Sequence, residues 1–102
     1  MLSRLTDRDA VLRAVREFDR LGRTAFLEQF GFGEALRYFV RLNGSDYDSK
    51  AIAGVAFGMQ YPGEGPLRPS QFSGGQATVQ RALARLGFEV VDRKARAQRT
   101  TR

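Results

Sequence analysis

Two short stretches carry residue types that could hold an anion: Tyr47-Asp48-Ser49-Lys50 and Ser73-Gly74-Gly75-Gln76. Each opens a segment with helical spacing. The first N–H groups of a helix lack intrahelical partners, and the helix dipole adds positive potential there, so a phosphate is stabilised at either start. Gly74 and Gly75 would let it approach the backbone. Lys50 stands in a first helical turn, where the dipole disfavours a cation, and it is the only lysine ahead of the C-terminal tail. A cation placed against its local field suits an anionic partner. The plain alternatives are a capped helix at residue 73 and an unliganded surface lysine at 50. Neither stretch has the spacing of a Walker loop, and Ser73 does not follow a strand as a dinucleotide fingerprint would.

Beyond Gly75 come Gln76, Thr78, Gln80, Arg81 and Arg85. Gln and Arg are side chains that reach base edges in the major groove; they are also ordinary solvated helix residues. Tyr38, Phe39, Tyr47, Phe57, Tyr61 and Phe72 suit a core, although an exposed aromatic ring near Lys50 could stack on a base turned out of a duplex. Asp46 and Asp48, two apart, could hold a cation, but turn and cap chemistry explains both, and no metal site or cofactor is expected.

The chain has 102 residues, no Cys and no His. Thiolate and disulfide chemistry are excluded, and the usual neutral-pH base and metal ligand are missing. Charge is uneven. The net is +6, of which residues 92–102 carry +4 and residues 1–91 only +2. Such a tail, with Arg93, Lys94 and Arg96, favours nucleic acid or another acidic surface, or serves as a solvated linker. No apolar run approaches a membrane span of roughly 18 residues, and the N-terminus has no apolar signal core. The expected setting is cytoplasmic and soluble, with no membrane partner.

The elements that must position these residues follow in order. Thr6 with Asp9 resembles a capping box, and Val11, Val15 and Phe18 recur at helical spacing, which predicts an amphipathic helix over about 7–21, ended by Gly22. Thr24 caps a shorter helix to Phe30, and Phe32 between two glycines anchors a turn. Leu36 to Leu42 alternates as a strand, with Leu36, Tyr38, Val40 and Leu42 on one face and Arg37, Phe39 and Arg41 on the other. Asn43-Gly44 signals a tight turn. A short helix follows, capped by Asp48 or Ser49, with Ile52, Val55, Ala56 and Met59 on its apolar face. Gly54 in its interior costs about 1 kcal/mol relative to Ala, so close approach of another element is expected there. Residues 60–69 hold three prolines and two glycines and predict an exposed loop. Ser73 with Gln76 then caps a helix bearing Val79, Leu83 and Leu86, Gly87 ends it, and Phe88, Val90 and Val91 form a strand. The fold class is α+β: a small helix-rich domain over 1–91 with a two- to three-stranded antiparallel sheet, in an order like that of a winged helix-turn-helix, followed by a basic tail or linker over 92–102.

Asp46 to Ala56, Phe72 to Val79 and Leu86 to Val90, in this pairing and spacing, resemble the N-terminal head of McrA-like, modification-dependent (type IV) HNH restriction endonucleases. The resemblance covers roughly residues 6–91. It implies a module that binds double-stranded DNA or senses its modification; a homodimer through the parent protein is a separate expectation for its partners. It implies no catalysis here, because an HNH centre needs histidines. The expected reading is a non-enzymatic DNA-binding domain contacting DNA through Tyr47, Ser49, Lys50, Ser73, Gly74, Gly75, Gln76, Thr78, Gln80, Arg81, Arg85, Arg93 and Lys94. The rival is a structural or dimerisation module, using the thin Ala/Gly face of the helix that holds Gly54.

Overall fold

Asp7 opens the first helix, α1 (Arg8–Leu21): its carboxylate accepts from the Asp9 N–H at 2.9 Å. Thr6 is not the cap. Its backbone N–H donates to Gln60 Oε1 at 3.0 Å and its hydroxyl accepts from Gln60 Nε2 at 2.8 Å, tying the start of α1 to the end of a distant helix. Ala10, Val11, Ala14, Val15 and Phe18 face the core. Gly22 ends α1, and α2 (Arg23–Phe30) starts at once with no side-chain cap, so Thr24 lies inside it rather than before it. Phe26, Leu27 and the following Phe32 are buried. The computed structural model describes residues 2–72 and 75–93.

β1 (Tyr38–Leu42) begins later than the alternating pattern suggests, leaving Leu36 and Arg37 outside the strand. Asn43 and Gly44 both have positive φ, 53° and 81°, the combination that joins two strands with the correct twist. β2 (Ser45–Asp48) returns along one edge of β1, and β3 (Glu89–Asp92) pairs antiparallel along the other, in the order β2-β1-β3. Alternation of buried and exposed faces fails at β1, because Phe39 and Val40 are both buried. Val40 enters the main core, while Phe39, on the other face, is covered by the Arg93 guanidinium 3.7 Å from its ring centre.

α3 (Ser49–Gln60) is the rod on which the rest packs. Ser49 and every residue from Ala51 to Phe57 are buried, so the expected single apolar face is instead an all-round one. Full burial of Ile52, Val55 and Phe57 stabilises the fold by about 1.5–3 kcal/mol each. Asp48 occupies the N-cap position but makes no capping bond. Gly54 is the site of close approach: a Cβ there would lie 2.8 Å from the Phe32 ring and 2.9 Å from the Leu67 carbonyl. Gly58 is tighter still, with a Cβ 2.5 Å from the Pro66 nitrogen. The predicted exposed loop is thus partly packed, with Leu67 buried and its N–H on the Gly54 carbonyl at 3.1 Å.

α4 (Gly75–Arg85) buries Val79, Ala82 and Leu83, and Gly87 follows its end with φ 90°. Residues 61–74 separate α3 from α4, whereas a helix-turn-helix joins its helices by about 3–4 residues. The tight hairpin also precedes this helix pair. The architecture is α+β, with four α-helices and a three-stranded antiparallel sheet among the described residues, and the winged-helix order does not describe it. No described helix is long and apolar enough to cross a membrane.

Candidate nucleic-acid interface

The segment after α2, the first turn of α3 and the start of α4 enclose a cleft of about 410 Å³. Phe32, Leu36, Tyr38, Ala51 and Pro69 form its apolar walls, and Lys50, Gln76, Arg37, Glu34 and Asp48 its polar ones. Tyr38 also lines a second cleft, of about 360 Å³, with Ala77, Gln80, Arg81 and Val90. The N-terminal half of α4 therefore borders both hollows, with Tyr38 common to the two.

Lys50 and Gln76, expected from the sequence, meet at this cleft. The half-buried Lys50 has its ammonium 5.2 Å from the centre of the Phe72 ring and no carboxylate partner among the described residues. The helix start beneath it adds repulsion rather than relief. Phe72 is half-buried against Phe32, so the ring beside Lys50 is a support more than an open platform. Arg81 is exposed on α4 and also has no ion partner among the described residues. Gln76 and Gly75 are exposed, and Gly75 opens α4 with φ 75°.

Other expected contacts are taken up by the fold. Tyr47 is buried, and its hydroxyl donates to Asp19 Oδ1 at 2.9 Å; burial first, and then this bond, raise the phenol above its ordinary pKa. Ser49 is fully buried, and its hydroxyl has no hydrogen-bond partner among the described residues. Gln80 turns inward: its amide donates to the Phe39 and Val91 carbonyls at 3.2 Å each, joining α4 to the sheet. Arg85 donates to the Leu2 carbonyl at 3.3 Å. Thr78 is half-buried. Arg93 lies over Phe39 and reaches Asp46 at 3.4 Å. The expectations at Ser73, Gly74 and Lys94 lie outside the described residues.

An arginine–carboxylate lattice was not legible in the sequence. Arg23 forks onto Asp48 at 3.0 and 2.9 Å, Arg37 onto Asp92 at 2.7 and 2.9 Å, and Arg41 onto Asp46 at 2.7 and 3.1 Å. These two-pronged bonds are the strong form of the interaction. The hydrogen bonds from Arg41 hold the Asp46 carboxyl below its usual range, despite partial burial. Asp48 also accepts the Ala35 N–H at 2.8 Å. Arg41 and Arg23 thus occupy the Asp46 and Asp48 carboxylates considered for a cation. Among the described residues, no group of three or more acidic side chains is placed to hold a metal ion.

Residues 3–92 match the family described as ScoMcrA-like, N-terminal head domain. The chain is also similar to a solved protein, the type IV phosphorothioation-dependent restriction endonuclease ScoMcrA, at 31% identity and a TM-score of 0.62. That likeness covers 85% of this chain and 13% of the solved one. No curated protein matches.

Proposed function

Because this chain belongs to the ScoMcrA-like N-terminal head-domain family, we propose that it is the DNA-binding module of a modification-dependent restriction endonuclease. The observation that carries the reading is the position of Lys50 and Arg81 beside the two clefts, each with no carboxylate partner among the described residues; Arg8, Arg16, Arg68 and Arg85 also have none there but line neither cleft. A polyanion supplies the charge that the fold withholds from them. Lys50 and Arg81 grip phosphates, and Gln76, exposed at the start of α4, reaches toward base edges. Tyr47, bonded to Asp19, ties β2 to α1, Gln80 ties α4 to the sheet and Arg85 ties α4 to the Leu2 carbonyl, while Ser49 is buried. Ser73, Gly74 and Lys94, outside the described residues, are proposed as further phosphate contacts from their residue types. Phosphorothioated DNA is the first modified duplex to test, given what the similar nuclease depends on. The chain spans 13% of that nuclease, and it contains no histidine for an HNH centre; cleavage belongs to other parts of the parent protein.

The rival, a dimerisation module using the thin face of α3, loses its surface: Phe32, Pro66 and Leu67 already lie against Gly54 and Gly58.

Fluorescence anisotropy at physiological salt tests the proposal with unmodified, cytosine-methylated, adenine-methylated and phosphorothioated duplexes. A preference of tenfold, about 1.4 kcal/mol, for one modified duplex marks a reader. Equal binding that collapses with salt marks a backbone clamp. Absence of binding to every duplex overturns the proposal.

A further inference from the structure

Leu36 is 88% exposed, alone among the large hydrophobic residues described. A single surface leucine is ordinary in itself. The bracing on either side of this one is not. Ala35 donates its N–H to Asp48 at 2.8 Å, and its carbonyl accepts from Arg23 at 3.2 Å. Arg37 is forked onto Asp92, its guanidinium lies 4.7 Å from the centre of the Tyr38 ring, and its carbonyl accepts the Arg93 N–H at 2.9 Å. Side-chain and backbone bonds therefore clamp the residues before and after Leu36, and an apolar tip is held out into solvent on a stiff mount. Holding it there in advance removes the ordering cost of using it on binding. The tip also lines the cleft that holds Lys50 and Gln76, with the aromatic walls Phe32 and Tyr38.

We infer that Leu36 is a wedge that enters duplex DNA between two stacked base pairs, with the cleft beside it receiving the displaced base. Inserted leucines are a known way to unstack and kink a duplex, and a displaced base is held by aromatic or apolar walls with a few polar groups. The cations decide the occupant: Lys50 at the same cleft, and Arg81 at the neighbouring one, suit phosphates flanking an opened step better than an apolar protein surface. This inference rests on the DNA-binding proposal, but it fails separately from it.

The test uses the full chain and duplexes, unmodified and phosphorothioated, in which 2-aminopurine is placed at successive positions. Its fluorescence rises when the base leaves the stack. Binding should raise it several-fold at one position. Leu36→Ala should abolish that rise while lowering affinity by about tenfold or less, since phosphate contacts supply most of the binding. Leu36→Met should keep the rise. The change is at an exposed position, so both variants should unfold at the same urea concentration as the parent. Binding with no rise at any position, or a rise that survives Leu36→Ala, overturns the wedge and leaves the DNA-binding proposal standing. No binding by the parent chain overturns both.

Discussion

The sheet's edge and the cleft use the same cationic chemistry to opposite ends. Along the sheet, Arg23, Arg37 and Arg41 each fork onto a carboxylate, and Arg93 covers Phe39 while reaching Asp46. Their charge is consumed in holding β1, β2, β3 and the segment before β1 together. At the clefts, Lys50 and Arg81 have no such partner among the described residues. A net charge cannot separate these two groups; only the pairing can. The first group is part of the scaffold, and the second is the surface we propose for DNA. The two meet at Asp48, which anchors Arg23 and Ala35 while lining the cleft.

The division can be broken by mutation, most severely on the scaffold side. Asp48→Ala leaves the Ala35 N–H without its acceptor and removes the fork on Arg23, which keeps only the Ala35 carbonyl at 3.2 Å and Glu34 at 3.7 Å. With Arg23 partly exposed and able to rehydrate, the expected loss is about 1–3 kcal/mol in urea unfolding; a loss below about 0.5 kcal/mol, the usual size of a surface change, would place Asp48 outside the scaffold. Asp46 gives a smaller, pH-dependent effect. Its pKa is lowered in the folded state, so its contribution is present above the unfolded aspartate value of about 3.9 and fades as pH falls through the folded value. Asp46→Asn should therefore cost stability near neutral pH and flatten the acid limb of the stability profile. An acid limb unchanged from the parent would mean that the Arg41 pair contributes nothing. The smallest stability change belongs to the cleft: Lys50→Gln and Arg81→Gln should each leave unfolding within about 0.5 kcal/mol of the parent. Each should instead flatten the slope of log K against log salt by about 0.9 for a lost phosphate contact. Unaltered slopes for both would remove these cations from the interface.

Much of the fold was legible because it follows from near neighbours in sequence. The helical spacing of Val11, Val15 and Phe18, the Asn43-Gly44 turn, the stop at Gly22 and the close approach at Gly54 all need only local geometry or a missing Cβ. Where structure departs from sequence, the cause is a partner distant in the chain. The pattern around Thr6 predicts a cap, but Gln60 takes its hydrogen bonds. Helical spacing predicts an outward Gln80, but two sheet carbonyls draw it in. Tyr47 is expected at a surface, but Asp19 and the core withdraw it.

The sequence by itself determined the α+β class, most element positions, the family resemblance and the two residues, Lys50 and Gln76, that meet at the cleft. Tertiary structure alone decided which cations are spent and which are left. Arg23 and Asp48, or Arg37 and Asp92, lie 25 and 55 positions apart, and a forked bond between them exists only after the hairpin, β3 and α2 have packed. Leu36 follows the same rule. As a residue type it looks like one more strand position, and it becomes an exposed tip because long-range bonds hold Ala35 and Arg37 where they are.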